Sequence, residues 1–215
     1  MLATTTTFAC NCTNVQPMSE INITEYARKT WYIQRQQING YQSENQLYCV
    51  AATYNIDNHS KVPFFKGKVL TVYNYANQDK VNGMSLGSNN SYLCARVPNK
   101  TETGKLIVAP CFLPNIFGGP YWVLYAGPDP DNYQWAIVIG GQPTYCPTNT
   151  TNTIPCTTHE TGINNSGLWI FSRERVMDDK IIENVITYLN SIGIYTGLLK
   201  DVEQKGCNYT NAFIK

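Results

Sequence analysis

Two histidines, two pairs of closely spaced aspartates and eight cysteines are residues of this chain whose types and spacing could do chemistry. His59 and His159 sit in polar loop sequence among Ser, Asn and Thr, where a solvated imidazole is expected rather than a haem or metal ligand. Two such histidines supply no nucleophile, base and orienting group. Asp129 and Asp131 could be an acid and base pair, yet they fall in Gly127-Pro128-Asp129-Pro130-Asp131-Asn132, where turn-forming side chains explain both. Asp178 and Asp179 precede an apolar helical pattern and are explained by capping and by the positive N-terminal end of the helix dipole. The expectation is no catalytic residue, no metal site and no cofactor for catalysis.

Cys10, Cys12, Cys49, Cys94, Cys111, Cys146, Cys156 and Cys207 are even in number, widely scattered and without a Cys-x-x-Cys pair. Zinc sites need Cys and His in close pairs, so disulfides are the better reading. Bridged cysteines imply an oxidising compartment. N-x-[ST] acceptors at Asn11, Asn22, Asn58, Asn89, Asn99, Asn149, Asn164 and Asn208 point the same way, to a secreted, extracellular glycoprotein. No apolar run approaches the roughly 20 residues of a membrane helix. Met1 to Thr7 is too short and polar to be the apolar part of a signal peptide, so a mature or engineered start with its export signal removed is expected. The formal charge is +1, from 16 Lys and Arg against 15 Asp and Glu. Bulk electrostatics therefore favour neither nucleic acid nor an anionic membrane as a partner.

The elements around these residues are mostly strands. The chain of 215 residues suits one domain, and its 15 Tyr and 4 Trp with only 14% charged residues suit aromatic, β-rich structure. Strand-like patterns run over 31–37, 48–56, 68–75, 80–86, 104–111, 121–125, 133–139 and 168–172. Gly87 to Thr103 reads as an exposed loop around a Tyr92-Leu93-Cys94 island, and 141–167 as a Thr-, Asn-, Pro- and Gly-rich insertion. The period then changes: Ile181, Ile182, Val185, Ile186 and Leu189 recur at helical spacing, with Gly193 just past the end, predicting one amphipathic helix over 178–191. An extended tail runs on to Cys207.

Eight short strands and a late helix describe an all-β, up-and-down antiparallel barrel with the helix packed outside, able to hold one small ligand. A doubly wound α/β fold lacks the helices it needs between strands. Trp31 on the first strand and Arg173 after the last can meet only if the sheet closes, and an indole face under a guanidinium is favourable. Inward residues of alternating positions should line the cavity; the candidates are Trp169, Tyr54, Tyr73, Tyr121, Trp122, Tyr125, Tyr133 and Trp135, of which period-two alternation turns about half outward.

These features resemble the lipocalin family, and within it the branch of apolipoprotein D, the insect bilin-binding proteins and the crustacyanins, from about Cys10 to Cys207. The Gly-x-Trp-Tyr motif of strand one is similar to Lys29-Thr30-Trp31-Tyr32, with lysine in place of glycine. The Thr-Asp-Tyr turn resembles Pro128-Asp129 through Asn132-Tyr133, and the aromatic strand ending in Arg resembles Leu168 to Arg173. The resemblance implies one lipocalin domain over 1–215, with an N-terminal extension over about 1–20 and loop insertions at 87–103 and 141–167. It implies a bridge from Cys10 or Cys12 to Cys146 and another from Cys49 to Cys207; the other four cysteines, among them Cys94, Cys111 and Cys156, would pair among themselves and pin the insertions. Trp31 and Arg173 would close the narrow end, and Trp169 would lie in the ligand pocket. The implied function is a secreted carrier of one small hydrophobic molecule: a bilin pigment such as biliverdin first, then a carotenoid or retinoid, then a fatty acid or steroid. A barrel enzyme acting on a lipid or carotenoid, and a glycosylated interaction protein with a non-functional cavity, are the alternatives. Cysteine catalysis would need a free thiol, which an even count argues against. A homo-oligomer is left open.

Overall fold

The computed structural model describes residues 10–56, 62–87, 90–147 and 154–215. Among these residues ten strands form one antiparallel sheet: β1 Trp31–Gln37, β2 Tyr48–Ile56, β3 Val69–Gln78, β4 Met84–Leu86, β5 Leu93–Arg96, β6 Lys105–Ala109, β7 Gly119–Asp129, β8 Asn132–Ile139, β9 Leu168–Ser172 and β10 Leu199–Asp201. Strand β9 pairs with β8 on one side and with β1 on the other, which closes the barrel. Both β4 and β5 pair with β3, so they are two pieces of one interrupted strand and the closed barrel has eight staves. Closure removes the exposed edges that an open sheet would leave.

The sequence reading differs from this in four places. Leu93–Arg96 is a strand inside the stretch read as loop over 87–103, since four residues between a polar turn and Pro98 are too short to show alternation. Strand β7 runs on through Gly127, Pro128 and Asp129 of the stretch assigned to the turn, and only Pro130 and Asp131 cross to β8. The tail carries β10, which pairs with β1 at Arg35 to Gln37. A short helix, α1 Ile23–Tyr26, precedes β1, with the Asn22 side chain accepting from the Glu25 N–H.

Helix α2 spans Asp179–Ser191, capped by the Asp178 carboxylate, which accepts from the Lys180 N–H at 2.8 Å. Ile182, Val185 and Leu189 lie buried on the outside of the barrel against Leu124, Ile137, Ile139, Leu168 and Ile170. Ile181, assigned to the same stripe, is 39% exposed. Gly193 ends the helix at φ +80°, and a Cβ there would lie 2.1 Å from Thr13.

Four disulfides tie the periphery down: Cys10–Cys146, Cys12–Cys156, Cys49–Cys207 and Cys94–Cys111. The first two fasten the N-terminal segment to the 141–167 insertion, the third joins β2 to the tail, and the fourth spans β5 to the loop after β6. No free cysteine remains.

Candidate functional site

One end of the barrel is sealed by a set of buried contacts. The Arg173 guanidinium lies over the Trp31 ring, 3.4 Å from its centroid. It donates to the carbonyls of Glu25 at 2.9 Å and Tyr26 at 3.0 Å, and also to those of Lys29, Thr30 and Tyr133. Among the described residues no carboxylate pairs with it, and burial lowers its pKa to about 10, so it stays charged at neutral pH. Trp31 donates its indole N–H to the Tyr26 carbonyl at 2.9 Å. The Tyr121 hydroxyl meets that of Tyr26 at 2.5 Å and that of Tyr54 at 2.7 Å. Burial pushes all three phenols well above the usual tyrosine range. From outside, Lys215 covers this end, its ammonium donating to the Ala27 and Tyr54 carbonyls at 3.1 and 2.9 Å.

Above this floor lies a cavity of about 390 Å³, within the range of small-molecule sites. Its wall is mainly aliphatic and aromatic: Ile33, Val50, Ala52, Val72, Ala76, Leu86, Val108 and Phe171. Tyr54 and Tyr121 stand at its base, Tyr41 lines it with its phenol pKa pushed up to about 12 by burial, and the exposed Phe117 and Ile163 also line it. No Asp, Glu, Lys or Arg lines it among the described residues. The polar side chains in it are uncharged, among them Gln36, Gln42, Gln46, Asn74 and Ser166.

Trp169, Tyr54 and Tyr121 are the expected ligand residues that line this space. Trp169 is steered by Gly167 at φ +94°, where a Cβ would fall 2.1 Å from the indole, so only glycine lets the ring lie across the chain. The other five lie elsewhere. Trp122 and Trp135 pack outward in the cluster beneath α2, and Tyr125 stacks on Trp135 with centroids 5.0 Å apart and meets Tyr188 of the helix edge-on. Tyr73 stacks on Phe213 at 4.3 Å. Tyr133 is buried in the core, and its hydroxyl accepts from the Asn22 N–H.

Bulges explain most of that sorting, because each extra residue reverses the side-chain alternation beyond it. In β7 the register jumps between Val123 and Tyr125, so Leu124 and Tyr125 both face the helix. In β8, Gln134 is the extra residue between Tyr133 and Trp135, which puts Tyr133 inside and Trp135 outside. In β1 the register jumps between Ile33 and Arg35. Strict alternation from Trp31 and Ile33 would turn Arg35 and Gln37 inward. Instead the neutral Gln36 enters the cavity, Arg35 pairs with Asp201 at 2.8 Å, and Gln37 bonds Thr157 and Thr158 of the insertion.

Sequence reasoning missed Gln36 and Ser166, for which the chain carries no local signal. It also missed Ala52, Val50 and Phe171, which share the parity of Tyr54 and Trp169 and could have been found from it.

The remaining chemistry-bearing residues have structural roles. The Asp129 carboxylate accepts from the Asp131 N–H at 2.8 Å, an Asx turn at the sealed end, remote from the cavity mouth. His159 packs beside Tyr145, ring centroids 5.2 Å apart. His59 lies outside the described residues. No group of His, Cys, Asp and Glu able to hold a metal occurs among the described residues. Asn11, Asn22, Asn99, Asn164 and Asn208 are exposed; Asn58, Asn89 and Asn149 lie outside the described residues.

No protein-family model matches the chain, and no curated protein sequence matches it. Solved structures do. The cockroach major allergen Per a 4 is 18% identical over 92% of this chain and 97% of its own, with a TM-score of 0.54. Lobster apocrustacyanin A1 is 18% identical over 89% of this chain and 84% of its own, with a TM-score of 0.54. Apocrustacyanin C2 is 17% identical over 94% of this chain and 95% of its own, with a TM-score of 0.55. The fold is that of the lipocalins.

Proposed function

We propose that the protein is a carrier that holds one small hydrophobic molecule inside the barrel. The observation that carries this reading is the cavity itself: sealed by Arg173 and Trp31 at one end, apolar along its wall and without a charged side chain. Binding would draw on apolar area at about 25 cal/mol per Å² removed from water. An interaction protein with a non-functional barrel would be favoured by side chains filling that space, which here is open. A cysteine nucleophile has no candidate, because all eight thiols are paired.

The lining favours a neutral ligand, since a carboxylate buried without a cation costs several kcal/mol. A flat conjugated pigment suits Tyr54, Tyr121, Trp169 and Phe171. A bilin such as biliverdin fits only with its propionates extended through the mouth into water. A retinoid, carotenoid or steroid makes no such demand; a fatty acid does. Four disulfides and the exposed Asn11, Asn22, Asn99, Asn164 and Asn208 acceptors support secretion into an oxidising, extracellular compartment.

Protein purified from its source should carry a visible absorption band that survives dialysis, or else show saturable one-site quenching of tryptophan emission on titration with biliverdin, retinol or β-carotene. A colourless protein that gives no saturable quenching with any of the three overturns the pigment reading, and the carrier reading falls with it if a steroid and a fatty acid also fail to bind.

A further inference from the structure

The cavity wall contains a hydrogen-bond acceptor whose orientation is fixed and which has no donor. The chain of constraint begins at the Gln46 carbonyl, which can only accept. It accepts from the Gln42 side-chain amide nitrogen at 3.1 Å, so the Gln42 side-chain oxygen faces the other way. That oxygen accepts from the Gln36 amide nitrogen at 2.7 Å. The Gln36 Oε1 atom is therefore an acceptor and not a misassigned nitrogen. Gln36 is wholly buried at 0% exposure, lines the cavity, and its Oε1 has no partner. Ser166 is 3% exposed, lines the same cavity, and its hydroxyl oxygen is also unpartnered. Both flank Trp169, Gln36 as its partner across β1 and β9 and Ser166 three residues before it.

Resting on the carrier reading, we infer that Gln36 selects a neutral apolar ligand bearing a hydrogen-bond donor, an O–H or N–H group seated beside Trp169. Gln36 Oε1 is already buried and unpartnered in the ligand-free protein, so a ligand O–H or N–H that reaches it gains a hydrogen bond that an apolar ligand, or one ending in an ether, ester or ketone, does not. Ser166 can donate or accept, so its hydroxyl accommodates such a group without choosing its polarity. Gln42 is a positioning residue: without it the Gln36 amide is free to turn its nitrogen toward the ligand.

The test uses the full chain with its disulfides intact, titrated with retinol and with retinyl methyl ether, in which a methyl group replaces the donor hydrogen. The native protein should bind the alcohol about tenfold or more tightly. Gln36→Leu should bring the two within threefold while keeping ether binding. Gln42→Leu, which retains Gln36, should also narrow the preference by raising affinity for the ether. Equal binding of both probes by the native protein overturns this inference and leaves the carrier reading standing, as does a tenfold preference that survives in either variant. Saturable binding of neither probe overturns this inference, and the carrier reading falls with it only if biliverdin, β-carotene, a steroid and a fatty acid also fail to bind.

Discussion

Arg173 and Trp31 meet at the sealed end of the barrel, the guanidinium 3.4 Å from the indole centroid, although 141 residues lie between them in the chain. Arg173 also donates to five backbone carbonyls contributed by the segment before β1 and by β8. Arg173→Ala would strip donors from several buried carbonyls at once. It should cost about 3 kcal/mol of stability, read by denaturant or thermal unfolding, while the Kd for retinol stays within threefold because the side chain does not line the cavity. Arg173→Lys should lose less, keeping the charge but not the planar fork.

Trp169 and the pair Trp122 and Trp135 should separate binding from stability. Trp169→Ala removes cavity wall and should weaken retinol binding by about 2 kcal/mol, roughly thirtyfold in Kd. Trp122→Ala and Trp135→Ala remove packing beneath α2. They should lower the melting temperature and leave Kd within twofold, both readable from one titration and one melt per variant.

High pH should loosen the floor. Tyr26, Tyr54 and Tyr121 have phenol pKa values raised by burial above the usual 10, so the unfolded chain releases these protons first. Their contribution is complete below pH about 10 and is lost as pH rises toward their folded values. Arg173 has the opposite sign, since its folded pKa is lowered to about 10 and the folded state loses that proton first. Three phenols against one guanidinium leave a net fall. Unfolding free energy measured from pH 8 to 11.5 should be flat to about pH 10 and then decline. Tyr26→Phe, which removes one of the three phenols, should make that decline shallower.

The bridges should differ in weight by the loops they close. Cys49–Cys207 spans 158 residues and Cys94–Cys111 spans 17. Chain-entropy scaling gives about 5 and about 3 kcal/mol for the two. Replacing each pair by alanine should show that order in denaturant midpoints, and a thiol assay of the native protein should find no free thiol.

The barrel was legible in the chain because closure leaves local marks: period-two strands, turn residues between them, and an aromatic on the first strand with a cation after the last. The helix was legible because Ile182, Val185 and Leu189 repeat at helical spacing. The cavity lining was less so, for a physical reason. Bulges at Gln34, Leu124 and Gln134 each reverse the alternation, and nothing in the side chains of β1, β7 or β8 announces where the extra residue falls. Trp122 reads as well as Tyr121, and Arg35 reads as well as Gln36, until the register is known. The Gln36, Gln42 and Gln46 relay was invisible for another reason. It depends on a loop folding back on the strand that precedes it, and loop geometry carries no periodic signal.

Ala52 faces the cavity and is 4% exposed, so a large side chain there would occupy the space reserved for ligand. Titration of Ala52→Trp with retinol, alongside the native chain and with circular dichroism and melting on both, tests the carrier reading most directly. The expected result is saturable one-site binding by the native protein and at least a thirtyfold loss in a variant that keeps its β-sheet spectrum and cooperative melt. Undiminished binding by a folded Ala52→Trp protein would contradict it, since the ligand would then lie outside the barrel.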